Sequence, residues 1–475
     1  MEELQITSEN YEALRAELVE ANSNLLGVVM RDKEKTVDAL LQTLKKEYRD
    51  ACGGEVPYHI PVLTDKTLTE SRLYRFCSRL PKGADLHVHD MSLLPAEELA
   101  ELLKTHDEFC INTDRKSYDL IVVPPEEKVP AGYIRFREAM RSGVYSVSDL
   151  VENWTVEGCK NSGKNIWAFF EDLFERHASL SSNPKFAKDY YEYTFRYYCK
   201  KGIQHVEIHL MLTDSIEESE EYLNVLQNAY LSVKKDYPYF TFKIIGAGVK
   251  ADDDKLAMTK KCFLNTVYAQ ENVKDFSDPD HPADFVIGFD LVNEEDVRLP
   301  LHAFAPMLLK AKKHYPNMKL YIHGGESLSA ENENLIDAYL LGVSRVGHGL
   351  NLYRYPDLHR RYAKSEIALE CCVISNQTLG YTKDIRNHPA TEYLRTGVAL
   401  CLCSDDPAYM EHETLTDDFF AATIGWDLSL ADLKQLAINS LMYSGLDTYE
   451  KTKALKAFGK LWNAFIDDVL ENGIE

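Results

Sequence analysis

Five short segments, far apart in the chain, carry the residue types of a metal site together with acid–base groups. They are His87-Val88-His89, His323-Gly324-Gly325-Glu326, His348 within RVGHG, the run ISNQ from Ile374 to Gln377, and Asp405-Asp406 within CSDDP. Each ends or follows a short apolar run that reads as a buried strand. Residues two apart on a strand face the same side, so His87 and His89 can address one ion. His323 ends one such run and Asp405 follows another. Three imidazoles and one carboxylate, with water completing the shell, suit Zn2+ acting as a Lewis acid. Glu326, three residues past His323, can reach a substrate without binding the metal, and His348 can hold the water. On a turn the neighbouring side chains of Asp405 and Asp406 diverge, so one can take the metal and the other the substrate.

Positioning these residues requires a particular set of elements. From Pro81 onward, apolar runs alternate with amphipathic stretches: residues 84–89, 205–212, 240–249, 285–292, 319–326, 345–350, 367–375 and 398–404. Between them lie helix-like segments such as EEYLNVLQNAYLSVKKDY and PLHAFAPMLLKAKKHY. Eight strands, each followed by a helix, predict an α/β fold, a (β/α)8 TIM barrel, whose catalytic residues gather at the C-terminal strand ends. Residues 1–80 read as an N-terminal helical extension that packs on the barrel or on a second subunit. The barrel then occupies 81–475, with C-terminal helices from 415. A long connection over 91–204, between the first and second strands, contains an insertion; loops of that length are usually functional or carry structure of their own.

Composition narrows the class further. The chain has 475 residues, 45% of them apolar and 27% charged, with a net charge of −23 from 53 basic and 76 acidic side chains. That balance argues against a protein that tracks nucleic-acid phosphates. No apolar run approaches ~20 residues, so a membrane span is not expected. The acidic N-terminal stretch lacks the pattern of a secretory signal. Ten cysteines, several inside apolar runs and with no C-x-x-C pair, suit a reducing, cytoplasmic setting. Only Cys110 and Cys159 invite consideration as a disulfide. His205, Glu207 and His209, at same-side spacing, invite a second metal site.

The segments together resemble the adenosine deaminase family of metal-dependent amidohydrolases, in that family's order and approximate spacing, across roughly Pro81 to Phe420. GFDLVNEED, HGGES, CCVISNQTLGYTKDIRNHP and CSDDPAYM are most similar to its adenosine-deaminase-related growth factor branch. The resemblance implies zinc-dependent hydrolytic deamination of adenosine, and of 2′-deoxyadenosine, to the inosine product and ammonia, by a metal-bound hydroxide attacking C6. It implies one Zn2+ per chain, held by His87, His89, His323 and Asp405. Glu326 would then protonate purine N1, His348 would orient and activate the hydroxide, and Asp406 would hydrogen-bond N7. Substrate contacts are expected at His89, Asp90, Trp167, Asn293 and Asp406. The common aspartate two residues after the second histidine falls at Met91 here, which makes Asp90 the candidate for a ribose hydroxyl. A purine-contacting glycine falls at Asn293, a residue type that tolerates unusual φ. The usual cysteine-proline is Cys372-Val373.

Two alternatives stay open at this level. One is a deaminase of adenine, of a nucleotide or of a modified nucleoside; a nucleotide needs basic residues near the ribose 5′ position, for which Arg115, Lys116, Arg135 and Arg137 are available. The other is a binding or growth-factor-like protein that keeps the fold without turnover, against which the complete metal set argues. The partner expected is a small purine nucleoside, with no nucleic acid and no membrane, and with a homodimer through the N-terminal helices open. The other zinc deaminase class needs P-C-x-x-C, which is absent.

Overall fold

The computed structural model describes residues 7, 10–22, 28–60, 65–114, 118–181, 183–212, 215–250 and 256–475. Eight parallel strands are hydrogen-bonded in chain order: β1 (Gly83–His89), β2 (Ile203–Leu210), β3 (Thr241–Val249), β4 (Val286–Val292), β5 (Lys319–Gly324), β6 (Arg345–His348), β7 (Ala368–Cys371) and β8 (Leu400–Leu402). A bridge between Val88 and Asp405 brings the chain after β8 back to β1. There Asp405 N donates to His87 O at 2.9 Å and His89 N to Asp405 O at 3.2 Å. The expected (β/α)8 barrel is thus formed, and its closure seats Asp405 beside the His87–His89 pair.

The strands are buried on both faces, but the two faces differ in chemistry. On β2, Val206, Ile208 and Leu210 join the main apolar core. The alternate residues His205, Glu207 and His209 enter polar networks instead. Arg345 on β6 is fully buried between Glu207 (2.5 Å) and Glu370, and its guanidinium lies 4.0 Å over the Tyr321 ring. An arginine so buried persists only because both partners are ionic and close.

Two boundaries depart from the sequence reading. The run 367–375 is not one strand: β7 stops at Cys371 and Val373–Thr378 is helical. Asn376 N bonds Cys372 O at 2.9 Å, turning the chain inward over the barrel mouth. The run 398–404 is strand only over Leu400–Leu402.

The connection from β1 to β2 carries structure of its own. It holds a small antiparallel sheet with Phe109–Asn112 between Leu120–Val122 and Tyr133–Arg135. Helices follow, including Val147–Trp154, Ile166–Ser181 and Pro184–Lys200. Phe169, Phe170 and Leu173 of the second of these form an apolar cluster with Leu379, Tyr409 and Met410, which docks the insertion against the turns after β7 and β8. At the N-terminus, helix Asp32–Ala51 buries Val37, Leu41, Leu44 and Tyr48 at helical spacing in the main core. It packs on the C-terminal helices Leu430–Met442 and Thr448–Asn472 of the same chain. All ten cysteines are free, Cys110 and Cys159 included. Among the described residues no helix is long and apolar enough to cross a membrane.

Candidate active site

The C-terminal ends of β1, β5 and β6 and the turn after β8 bring the sequence-derived set together. Ligating atoms of His87, His323, His348 and Asp405 lie within 4.8 Å of one another, all four residues buried. His89 adjoins them, with Nε2 3.3 Å from Asp405 Oδ1; His87 Nε2 is 3.8 Å from the same oxygen. His348 and Asp405 hold φ of +64° and +62°, a conformation that costs a side-chain-bearing residue and persists where surrounding structure imposes it. Gly347 is required for close approach: a Cβ there would stand 2.7 Å from His87 Cε1.

Hydrogen bonds decide what each imidazole presents. His87 Nδ1 donates to Glu370 Oε2 at 2.7 Å and His323 Nδ1 to Asp290 Oδ2 at 2.6 Å. Each therefore keeps the Nε2 lone pair. Burial, reinforced for His87 by the neighbouring His323 and His209, lowers both below the usual imidazole range and keeps them neutral, as ligands must be. His87 Nε2 is buried with no hydrogen-bond partner among the described residues. An unsatisfied buried acceptor, neutral imidazoles and an adjacent carboxylate fit a metal ion.

His348 differs. Ala390 N donates to His388 Nδ1 at 3.1 Å, so His388 carries its proton on Nε2 and donates to Asn376 Oδ1 at 3.2 Å. That leaves the Asn376 amide to donate to His348 Nδ1, 3.4 Å away. His348 then presents an N–H from Nε2 rather than a lone pair. The relay favours His89 over His348 as the third imidazole ligand and gives Asn376, singled out in ISNQ, a physical task. Against burial, the Asp406 and Asp405 carboxylates raise His89 to about 9, so a metal ion there must displace its proton.

Glu326 and Asp406 flank this centre. Glu326 Oε1 is 3.6 Å from His348 Nδ1, and neither Glu326 Oε1 nor Asp406 Oδ1 has a partner among the described residues. Burial first, then the Asp405 carboxylate, pushes Glu326 well above the ordinary range. Asp406 is raised by burial and by Asp405, against the lowering influence of His89. The turn carrying Glu326 is pinned from below. Lys250 Nζ donates to His323 O (2.8 Å) and Glu295 (3.1 Å), while Gly325 N donates to Glu295 at 3.0 Å.

These groups open into a cavity of about 610 Å³, whose wall also carries Asp90, Trp167 and Asn293. Asp90 accepts from Tyr191 and from Tyr222 (3.4 Å), and burial raises it to about 6. The Trp167 indole donates to Tyr381 OH at 2.9 Å. Asn293 sits at φ +99° with its Oδ1 accepting from Glu294 N at 2.7 Å, so the conformation a glycine would take is present. Every candidate site residue except His87, which is fully buried beside it, thus lines one cavity. The proposed trio on β2 does not gather: Glu207 bonds His205 and Arg345, while His209 turns to Asp290. Arg135 spends its guanidinium on backbone carbonyls, among them Val123 O and Pro124 O, and Arg137 pairs with Asp107. Arg115 and Lys116 lie outside the described residues.

Sequence reasoning missed Asp290, Glu370, His388, Lys250 and Tyr381. Asp290 stood in the open within GFDLV, two residues from a strand end. The others act through contacts between segments that no local pattern announces.

Comparison with known proteins bears on this cavity directly. Residues 164–460 match the family described as adenosine deaminase. The chain is 28% identical over 467 residues to adenosine deaminase 2-A of Danio rerio, covering 92% of this chain and 90% of that protein. It is 30% identical over 472 residues to adenosine deaminase 2 of Dictyostelium discoideum, covering 92% and 83%. Among solved structures, a cog1816 amidohydrolase with bound Zn from Burkhoderia ambifaria superposes with a TM-score of 0.58 at 17% identity, covering 88% of this chain and all of that one. That likeness is one of fold.

Proposed function

Because this chain belongs to the adenosine deaminase family and is a hydrolytic deaminase, we propose that its substrates are adenosine and 2′-deoxyadenosine, released as the inosine products with ammonia. One observation carries this reading. His87 and His323, each keeping an Nε2 lone pair, adjoin His89, Asp405 and the carboxyls of Glu326 and Asp406, which burial and Asp405 push upward, and all of these but the buried His87 line one substrate-sized cavity.

We assign His87, His89, His323 and Asp405 as the residues that would hold a Zn2+ ion, which would supply Lewis acidity for activating the attacking water. The protein's own groups do the rest. Glu326 is held protonated by burial and by Asp405, so it can deliver a proton to N1 and relieve charge building on the ring as C6 is attacked. N7 is an acceptor, so it needs a donor; Asp406, likewise raised, supplies one. His348 points its Nε2–H at the centre through the Asn376–His388 relay and orients the attacking water. Asn376, 3.4 Å away, keeps that ring from turning.

Charge on the cavity wall favours a nucleoside over a nucleotide. Asp90, Glu171 and Glu175 line it beside the catalytic carboxylates. Its one arginine among the described residues, Arg298, is paired with Glu171 at 3.0 Å. A 5′-phosphate there would meet like charge. The test is a panel of adenosine, 2′-deoxyadenosine, adenine and adenosine monophosphate, followed by loss of adenine-band absorbance with and without a chelator. Turnover of the two nucleosides, abolished by chelation, is expected. Metal-replete protein that acts on neither nucleoside, or that prefers the monophosphate, refutes the reading.

A further inference from the structure

We infer that His177 and Tyr409 form a hydroxyl-recognising subsite for the sugar of the substrate, a specificity element built by the insertion. This rests on the adenosine reading above and adds two residues to it.

His177 lies on the insertion helix Ile166–Ser181 and is 2% exposed, and neither of its ring nitrogens has a hydrogen-bond partner among the described residues. Tyr409, on the turn that carries Asp406, is fully buried, and its hydroxyl is equally without a partner. The two rings stack, 5.4 Å between centroids and 18° between planes, and the Trp154 ring stands nearly perpendicular to the imidazole with 5.0 Å between centroids. Both line the cavity that holds Glu326 and Asp406. Buried polar atoms in folded proteins are nearly always bonded, so three orphans on two residues that line one cavity call for a ligand that bonds them.

The chemistry of that ligand follows from its neighbours. Purine N1 and N7 flank C6 and are met at the metal end by Glu326 and Asp406. The sugar leaves from N9, on the opposite edge, so it projects away from the metal. The insertion helix lines the same cavity with Trp167, Phe170, Phe174 and His177. Burial, reinforced by Arg176, holds His177 down at about 3, so the ring is neutral, with one donor and one acceptor. Tyrosine hydroxyl also gives one and takes one. A sugar hydroxyl does the same, whereas a phosphate would offer only acceptors and negative charge. Rigidity is supplied by Val156 N, which donates to Tyr409 O at 2.8 Å, and by Tyr409 N to Asp406 O at 3.1 Å; the pair is therefore registered to the residue that meets the base.

The test compares wild type, His177→Phe and Tyr409→Phe on adenosine and on its 2′-, 3′- and 5′-deoxy analogues. Phenylalanine keeps the stack and removes only the polar atoms, and a thermal melt confirms that each variant folds. Each variant should lose about 10-fold in kcat/KM on adenosine. The loss should vanish on the one analogue that lacks the engaged hydroxyl, because wild type has then lost the same bond. Unchanged kcat/KM, or an equal loss on every analogue, overturns the subsite. A wild type inert on all four nucleosides overturns the parent reading and the subsite together, and is recognised because the unmutated protein is silent.

Discussion

Replacing Glu370 by Gln tests whether a carboxylate outside the metal shell decides what the shell presents. Glu370 accepts from His87 Nδ1 at 2.7 Å through one oxygen and from Arg345 through the other. Glutamine has one oxygen and one NH2 group, so it cannot accept from both. If its oxygen stays on Arg345, the NH2 group faces His87 Nδ1 and forces the ring proton onto Nε2, removing the lone pair a metal needs. If the oxygen stays on His87, the NH2 group confronts the guanidinium. Either way ligand support weakens, and a loss of this kind lowers metal affinity about 10- to 100-fold, ~1.4–2.7 kcal/mol. Folding should suffer less, because Glu207 remains 2.5 Å from Arg345 and no buried charge is stranded. Arg345→Met is the contrast: it leaves Glu207 and Glu370 buried without their cation and should cost about 3–5 kcal/mol. Competition against a zinc-sensitive dye gives the affinity, and urea unfolding of the metal-free protein gives the stability. A Glu370→Gln protein with wild-type zinc affinity refutes the reasoning.

Three further outcomes follow from the same contacts. Glu326→Gln should keep zinc while kcat falls about 10²- to 10⁴-fold, since the residue moves a proton and binds no metal; loss of zinc, measured by elemental analysis, would show it to be a ligand. Asn376→Leu leaves His348 Nδ1 without its donor and should lower kcat at least ~10-fold with zinc content and KM little changed; equal kcat would mean that the relay does not set the tautomer. At Asn293, held at φ +99°, glycine should preserve stability and turnover. Valine there should cost about 1–3 kcal/mol in urea unfolding, and equal midpoints for the two variants would contradict the strain.

Much of this site was legible in the sequence because strand ends in a barrel converge by geometry alone. His87, His89, His323, His348 and Asp405 each sit close to the C-terminal end of a strand, so knowing the strand order already brought them together. Local pattern failed where a residue's job depends on a distant partner. Glu370 touches His87 across 283 positions, and Asp290 touches His323 across 33. The run IALECCVIS also misled, since its apolar continuity hid a strand that ends at Cys371 and a helix that begins at Val373. Apolar character cannot separate a buried strand from a buried helical turn.

The interior of the barrel carries a second lesson. The apolar runs read as buried strands, yet β2, β6 and β7 also bury His205, Glu207, Arg345 and Glu370 in one ionic network. Arg345 draws Glu370 toward itself, and Glu370 in turn holds the His87 proton on Nδ1. The buried ions thus extend the metal site downward and set its tautomer from beneath. On the opposite side, the insertion sets the site from above: Trp167 reaches Tyr381 at 2.9 Å, and Phe169 and Phe170 pack in one cluster with Tyr409. A deletion of that helix would leave the proposed zinc ligands and their ionic support in place while removing one wall of the cavity. On the proposed roles, metal affinity and substrate selection fall to different parts of this chain, and mutations should separate them.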